Sequence, residues 1–430
     1  MDTFSQDEIL RFVAENDVKF IRLTFSDMRG SLKNIAIMPS ELPRAFTYGI
    51  PVDAAGFSDC PEDLLLVPDG GTLSVLPWRP KSGRVVRFFC HIRRLDGTPY
   101  PGDLRAVLAD GVRQMAADGY TCTIGTKSEF YLFDLDEEGR PTRRPHDRAG
   151  YLDVAPLDRC ENTRREICLS LEEMGLAPQS SCHKYGPGQN EIDFACADAV
   201  TAADHMVHYK STVKTIAAQN GLFASFMPRP LPGSYGSALT VILNVMKDGR
   251  NIFRLEDGAL PAEGRSFIAG ILSHIAEMTL FLDPTVNSYA RLRHSGAPNE
   301  ICWSFENRGP LVRIPAQVGI HPRIEVRSPD CCCDPYLSFR LLLAAGMDGI
   351  AQGMTLAEAA RADGSPKAFG RLPDTLEAAY EAAKASAFVA SVLPETVRTS
   401  FLDHAVHQIV HYQAAADKDA FEHQHYFLEN

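Results

Sequence analysis

Three short runs place acids and bases where the surrounding pattern is that of extended backbone. They are Lys127-Ser128-Glu129-Phe130, the stretch HKYGPGQNE from His183 to Glu191, and Arg323-Ile324-Glu325-Val326-Arg327. An uncompensated charge is expensive to bury, so charged side chains among apolar strand residues need partners. For any one run alone, solvated charges at an exposed strand end are the plain alternative. All three together point to a polar cleft in which carboxylates and ammonium groups meet. Arg291, Arg293, Arg308, Arg313 and Arg327 lie in or near the same part of the chain. A guanidinium grips carboxylate or phosphate at two points, so several in one cleft imply an anionic ligand, with structural ion pairing as the other reading.

Elements to carry these residues are legible in the pattern. A helix near Gln6 to Glu15 precedes extended segments at Val18 to Phe25 and Asn34 to Met38, the first alternating as a half-buried strand does. Turn signals at Asp69-Gly70-Gly71 and Leu95 to Pro99 lead to Asp103, a good N-cap for the periodic apolar run Leu104, Val107, Leu108, Val112, Met115. A larger α+β region begins there. Its strands are expected at Tyr120 to Phe133, Glu191 to Ala195, Leu222 to Phe226, Ala238 to Met246, Glu300 to Phe305 and Arg323 to Val326. Helices are expected at Glu161 to Met174, Ala203 to Gln219 and Gly264 to Leu280, with a helical final third from Pro335. The basic stretch GRPTRRPHDR, 139–148, reads as a solvated loop rather than a binding patch.

The 430 residues suit two domains, and a net charge of −12 disfavours nucleic-acid backbones and anionic membranes as partners. The acidic amino terminus does not read as a signal peptide, and no uncharged apolar run approaches the length of a membrane span. Eleven scattered cysteines suggest reduced thiols and a cytoplasmic protein. Cys331, Cys332 and Cys333 lack CxxC spacing, so a structural role is expected rather than a metal or redox one.

Six collinear runs closely resemble segments of glutamine synthetases: APLDRCENTRREICLSLEEMG (155–175), PGQNEIDF (187–194), ASFMPRPL (224–231), NSYARL (287–292), RIEVRSPD (323–330) and DPYLSFRLLLAAGMDGI (334–350). Asp27, Gly30, Asp53 and EDLLLVPDGGTLSVLPWRP (62–80) extend the likeness into the first hundred residues. The chain is identified as a divergent member of the glutamine synthetase family, resembling its short class I form. The resemblance implies a small β-grasp domain over 1–100 and a catalytic-type domain over 101–430, with helices and a curved antiparallel sheet. It also implies a dodecamer- or decamer-like homo-oligomeric ring with sites between subunits. The family phosphorylates the glutamate side chain with ATP, using two Mg²⁺ or Mn²⁺ ions, and lets ammonia or an amine displace the phosphate.

Carried over motif by motif, the first metal's three glutamates fall on Glu129, Glu191 and Lys184. The second metal's glutamate, histidine and glutamate fall on Lys127, Thr240 and Glu325. A charged ammonium has no lone pair and cannot ligate a dication. Five carboxylates with two dications, and three carboxylates with two ammonium groups, leave the same net charge of −1, so Lys127 and Lys184 are expected to stand in for the ions, with no metal bound. A second histidine becomes Ile242, the flap glutamate becomes Gly296, and a nucleotide-site lysine becomes Ile320.

Other positions are kept. Asp53 matches an aspartate that contacts ammonium from a neighbouring subunit, and Arg308 and Arg313 match arginines facing phosphates. Arg291 and Arg327 match holders of the amino-acid carboxylates, while Glu129 and Gly236 match groups at its amino end. The expectation is a pocket for a small amino acid or dicarboxylate in a protein that has lost conventional ligation, ATP and metal being implied by the family alone. The alternative is an active glutamate–amine ligase, or a metal-independent enzyme using Lys127 or Lys184 as base or nucleophile. The neighbouring carboxylates oppose the deprotonation which that last route needs.

Overall fold

The structure is a computed structural model describing residues 4–58, 61–79, 82–294, 296–305, 307–316, 322–360 and 369–428. Ile320, the altered nucleotide-site position, lies outside the described residues.

The amino-terminal part runs α1 (Gln6–Glu15), β1 (Val18–Ser26), β2 (Leu32–Ile37), α2 (Leu42–Tyr48), β3 (Ile50–Val52), β4 (Leu64–Pro68), β5 (Ser74–Val75) and β6 (Arg84–Arg93). Ser5 and Glu8 form a reciprocal capping box that starts α1. The sheet order is β2-β1-β6-β4-β3, with β5 beside β6 and β1 parallel to β6. Ile21, Leu23, Val86 and Phe88 fill a core under it that is separate from the larger one.

Asp103 caps α3 (Leu104–Ala117) through the Ala106 amide, as the sequence pattern requires. There follow β7 (Tyr120–Leu135), β8 (Pro141–Pro145), α4 (Glu161–Glu173), β9 (Pro178–His183), β10 (Gln189–Phe194), β11 (Ala197–Asp198), α5 (Ala199–Gln219), β12 (Leu222–Ser225), β13 (Leu239–Lys247) and β14 (Arg250–Asn251). Next come α6 (Ala262–Leu282), α7 (Val286–Leu292), β15 (Trp303–Phe305), β16 (Val312–Ile314), β17 (Ile324–Val326), α8 (Pro335–Ala351), α9 (Leu376–Ala385), α10 (Ala387–Val392), α11 (Glu395–Ala414) and α12 (Lys418–Glu422). A single π-helical turn, His423–Phe427, ends the described chain.

The large sheet runs β15-β16-β17-β13-β7-β10-β9, antiparallel except for β15 with β16, and β8, β11 and β12 also pair with β7. The fold is therefore α+β: a β-grasp sheet beside a larger domain of curled sheet and helices. The stretch 139–148 differs from the solvated loop expected: β8 pairs with β7, and Arg143 and Arg144 reach Asp419 and Asp134. Two arginines flanked by prolines gave no alternation by which to read a strand. Helix α6 is apolar and long enough to cross a membrane, but it is mostly buried among its neighbours, which accounts for its composition. Arg105 joins the two parts, pairing with Asp69 at 2.9 Å and with Asp204 at 2.9 Å.

Candidate functional site

Strand register assembles the cleft. Lys127 and Glu129 lie two apart on β7 and so share one face. On β10, Glu191 is directly opposite Glu129 and Asp193 directly opposite Lys127. On the other side of β7, Thr240 of β13 faces Lys127, while Glu325 of β17 faces Ile242, and Arg313 of β16 faces Glu325. Lys127, Glu129, Glu191, Thr240, Arg313 and Glu325 line a cavity of about 370 Å³.

Two carboxylates directly opposite each other repel, and burial sharpens the cost. Lys184 answers this from the turn between β9 and β10, where its amide donates to the Gln189 carbonyl. Its Nζ lies 3.1 Å from Glu129 Oε1 and 3.0 Å from Glu191 Oε2, and all three side chains are at most 15% exposed. The other oxygen of Glu129 accepts the Ala238 amide at 2.8 Å and the Gln189 side-chain amide at 3.4 Å. Burial works against the Lys184 ammonium, yet the charges of Glu129 and Glu191 outweigh it and hold the pKa above the ordinary lysine value. Burial lifts the Glu129 carboxyl above its ordinary value, helped by the Glu191 charge and opposed by Lys184.

The second group is looser. Lys127 Nζ is 3.6 Å from Asp193 and 3.9 Å from Glu325, and the lysine is 27% exposed. Glu325 is held chiefly by Arg313, at 2.7 Å, with Arg323 at 3.6 Å. Burial raises the Glu325 carboxyl, but Lys127, Arg313 and Arg323 overcome it and leave the pKa below the ordinary value. Asp193 moves the other way, raised by burial and by Glu191.

The candidate arginines part company. Arg291 lines the cavity but is buried, its Nη2 donating to Asp283 at 2.8 Å and to the Ser328 carbonyl. Arg327 donates through Nη1 to the carbonyls of Arg308 and Pro310 while lining the cavity with Arg308 and Arg313. Gly236 is tightly placed: a Cβ there would stand 2.5 Å from Arg291 Cγ and 2.7 Å from the Pro228 carbonyl. Its own carbonyl accepts from Gln189 at 3.0 Å. Asp53, by contrast, is an exposed cap on the turn Ala54–Gly56 and is not part of the cavity wall within this chain.

Cys331 lies behind the cleft. Its thiol donates to the Glu129 carbonyl at 3.3 Å, and burial pushes its pKa up to about 12, so it fills space as an inert thiol. Two acids at the site, Asp193 and Asp283, escaped the sequence reading. Asp193 sits two positions after Glu191 in PGQNEIDF, so strand parity alone would have put it on the cleft face. Asp283, which holds Arg291, carries no such signal. Tyr185 and Tyr235 form an aromatic wall 5.2 Å apart between ring centroids, with Tyr151 stacked on Tyr185 at 4.4 Å.

Residues 101–424 match the family described as glutamine synthetase, catalytic domain, and 17–94 match glutamine synthetase, beta-Grasp domain. The chain is 43% identical over 357 residues to the glutamine synthetase of Clostridium saccharobutylicum, covering 81% of each. It is 39% identical over 413 residues to that of Methanosarcina mazei, covering 93% of this chain and 92% of the relative. Among solved structures, a GmaS/ADP complex superimposes with a TM-score of 0.86 at 26% identity, covering 96% of this chain and 98% of the other. Ligand-free GmaS gives 0.87 at 26% identity, covering 99% and 100%.

Proposed function

The chain belongs to the glutamine synthetase family, and on that premise we propose that its cleft is a pocket for a small anionic amino acid or dicarboxylate that no longer carries out metal-dependent ligation. The observation that carries this is the Lys184 ammonium, held about 3 Å from both Glu129 and Glu191. The donor set does not fit two divalent cations. At one position the carboxylate oxygens already surround an ammonium that offers no lone pair. At the other, Glu325 is engaged by Arg313 and flanked by Lys127 and Arg323, and a dication would add charge where the lysine and arginines already supply it.

The cavity lining supports an anion as ligand. Six cationic side chains (Lys127, Lys184, Arg291, Arg308, Arg313, Arg327) line it against three carboxylates (Glu129, Glu191, Glu325). Arg291, Lys184 and Arg313 pair with Asp283, with Glu129 and Glu191, and with Glu325, whereas Arg308 and Arg327 line the cavity with no carboxylate at salt-bridge distance among the described residues. Tyr185 and Tyr235 would close over the ligand's carbon skeleton. We place the protein in the cytoplasm as a homo-oligomer, following its cysteine usage and its family.

The second reading is an active ligase, favoured by relatives at 43% and 39% identity that are named glutamine synthetase. One assay separates them: protein, ATP, Mg²⁺ or Mn²⁺, glutamate and ammonia or small amines, scored for phosphate release. The proposal expects none above background; robust turnover overturns it. Calorimetry with glutamate and short dicarboxylates, with Arg327→Ala as control, tests the pocket itself. The combined variant Lys127→Glu, Lys184→Glu, Thr240→His is expected to take up Mn²⁺, because the register that places these positions is set by the backbone.

A further inference from the structure

A second cavity, about 350 Å³, lies away from the cleft, where the β1–β2 turn (Arg29, Ser31), the start of α8 and the last helices meet. Four imidazoles line it. His404, His407 and His411 come from α11, and His425 comes from the π-helical turn. His407 and His411 are exposed, one helical turn apart, with ring centroids 4.0 Å from each other. Two histidines at i and i+4 on one helix face present their ring nitrogens to a common point, the spacing by which helices bite zinc.

The wall supplies further donors. His404, one helical turn before His407, lines the same wall. Asp334 caps α8 through Oδ1, which accepts the Leu337 amide at 2.8 Å. Its Oδ2 is buried and accepts no hydrogen bond among the described residues. The Cys332 thiol lines the same space.

The character of these donors selects the ligand. Imidazole and thiol prefer borderline-soft transition ions to Mg²⁺ or Ca²⁺, and Arg29 at the rim disfavours any cation held by charge alone. Among the described residues the one group that brings three such donor atoms within 4.8 Å of one another is elsewhere: Asp147, Asp158 and Cys160. Its oxygens are already engaged: Asp147 accepts from the Gly188 amide and meets His183 at 2.9 Å, and Asp158 pairs with Arg164 at 2.7 Å. That group is an internal brace.

We propose that the α11 edge of this cavity is a binding site for one divalent transition-metal ion of the zinc or nickel class, gripped by His407 and His411, with its remaining positions open to water. The site is independent of the cleft and stands whether or not ligation is retained. Titration of chelator-stripped full-length protein with Zn²⁺, followed by calorimetry, is expected to show one equivalent bound per chain. The double variant His407→Ala, His411→Ala is expected to weaken binding by about a hundredfold or more, since losing a direct ligand costs at least what losing its hydrogen-bonding neighbour does. Both side chains are exposed, so the variant's thermal melt should match the parent's, which excludes misfolding as the cause. Cobalt(II) should report the same site through a d–d absorption band present in the parent and absent in the variant. Full-strength Zn²⁺ binding in the double variant overturns the proposal. So does uptake that is abolished by Asp158→Asn instead, or the absence of stoichiometric binding in the parent.

Discussion

The two lysines of the cleft meet their acids in different ways. Around Lys184 the pairing is close: one ammonium at hydrogen-bond distance from two carboxylates, all three nearly closed to solvent. Around Lys127 it is partial, since the ammonium stands 3.6 and 3.9 Å from its acids and the main partner of Glu325 is Arg313. The difference follows from where each lysine is anchored. Lys184 comes from a turn and can lean between Glu129 and Glu191, which the register forces face to face. Lys127 is fixed in β7, with Asp193 on one neighbouring strand and Thr240 on the other. An ammonium reaches two opposed acids when it approaches from a turn, and where the lysine is fixed in a strand a guanidinium supplies the close contact.

The two sites therefore answer mutation unequally. Lys184→Ala leaves two buried carboxylates opposed without a counter-charge and is expected to destabilise the fold by about 3–5 kcal/mol, read from denaturant midpoints. A loss comparable to an ordinary surface substitution would break the comparison. Arg313→Ala removes the close partner of Glu325 but leaves Lys127 and Arg323, so about 1.5–3 kcal/mol is expected by the same measurement. Lys127→Ala should cost less than about 1 kcal/mol, because its contacts are beyond hydrogen-bond length and partly solvated.

Acidification sharpens the contrast further. Carbon-detected NMR of the glutamate side chains should find Glu129 titrating above the ordinary value near 4.5 and Glu325 below it. The signs have opposite consequences for stability. Glu325 contributes stability that is present above the ordinary glutamate value and lost as pH falls through its lowered folded value. Glu129, raised in the folded state, binds its proton more readily there than in the unfolded chain, so its contribution weakens as pH rises through the folded value. Lys184→Ala should raise Glu129 further, while Lys127→Ala should leave Glu325 still below the ordinary value. Equal titration of the two glutamates would remove the distinction.

Much of this was legible beforehand. The α1 helix, β1 and the Asp103 cap were readable because periodicity and capping are local properties. Lys127 and Lys184 stood out because an ammonium at a ligand position contradicts the chemistry of the motif around it. Short strands such as β14 and β16 were not readable, since two or three residues carry no period. Arg291 was readable as a carboxylate-holding arginine, while the acid that pairs with it within the chain, Asp283, eight residues before it across the α6–α7 joint, was not.

What the sequence determined by itself is the family plan, the α+β architecture and the identity of the residues standing at the six ligand positions, all of which reside in contiguous motifs. Only the tertiary structure decided the pairing. Alternation along a strand says which face a residue takes, while its partner depends on register between strands far apart in the chain. That register put Asp193 rather than Glu325 directly across from Lys127, gave Glu325 to Arg313, and brought Lys184 between two glutamates. The helical spacing of His407 and His411 is likewise visible in the sequence, but the cavity that gathers His404, His425, Cys332 and Asp334 around them is made by packing alone.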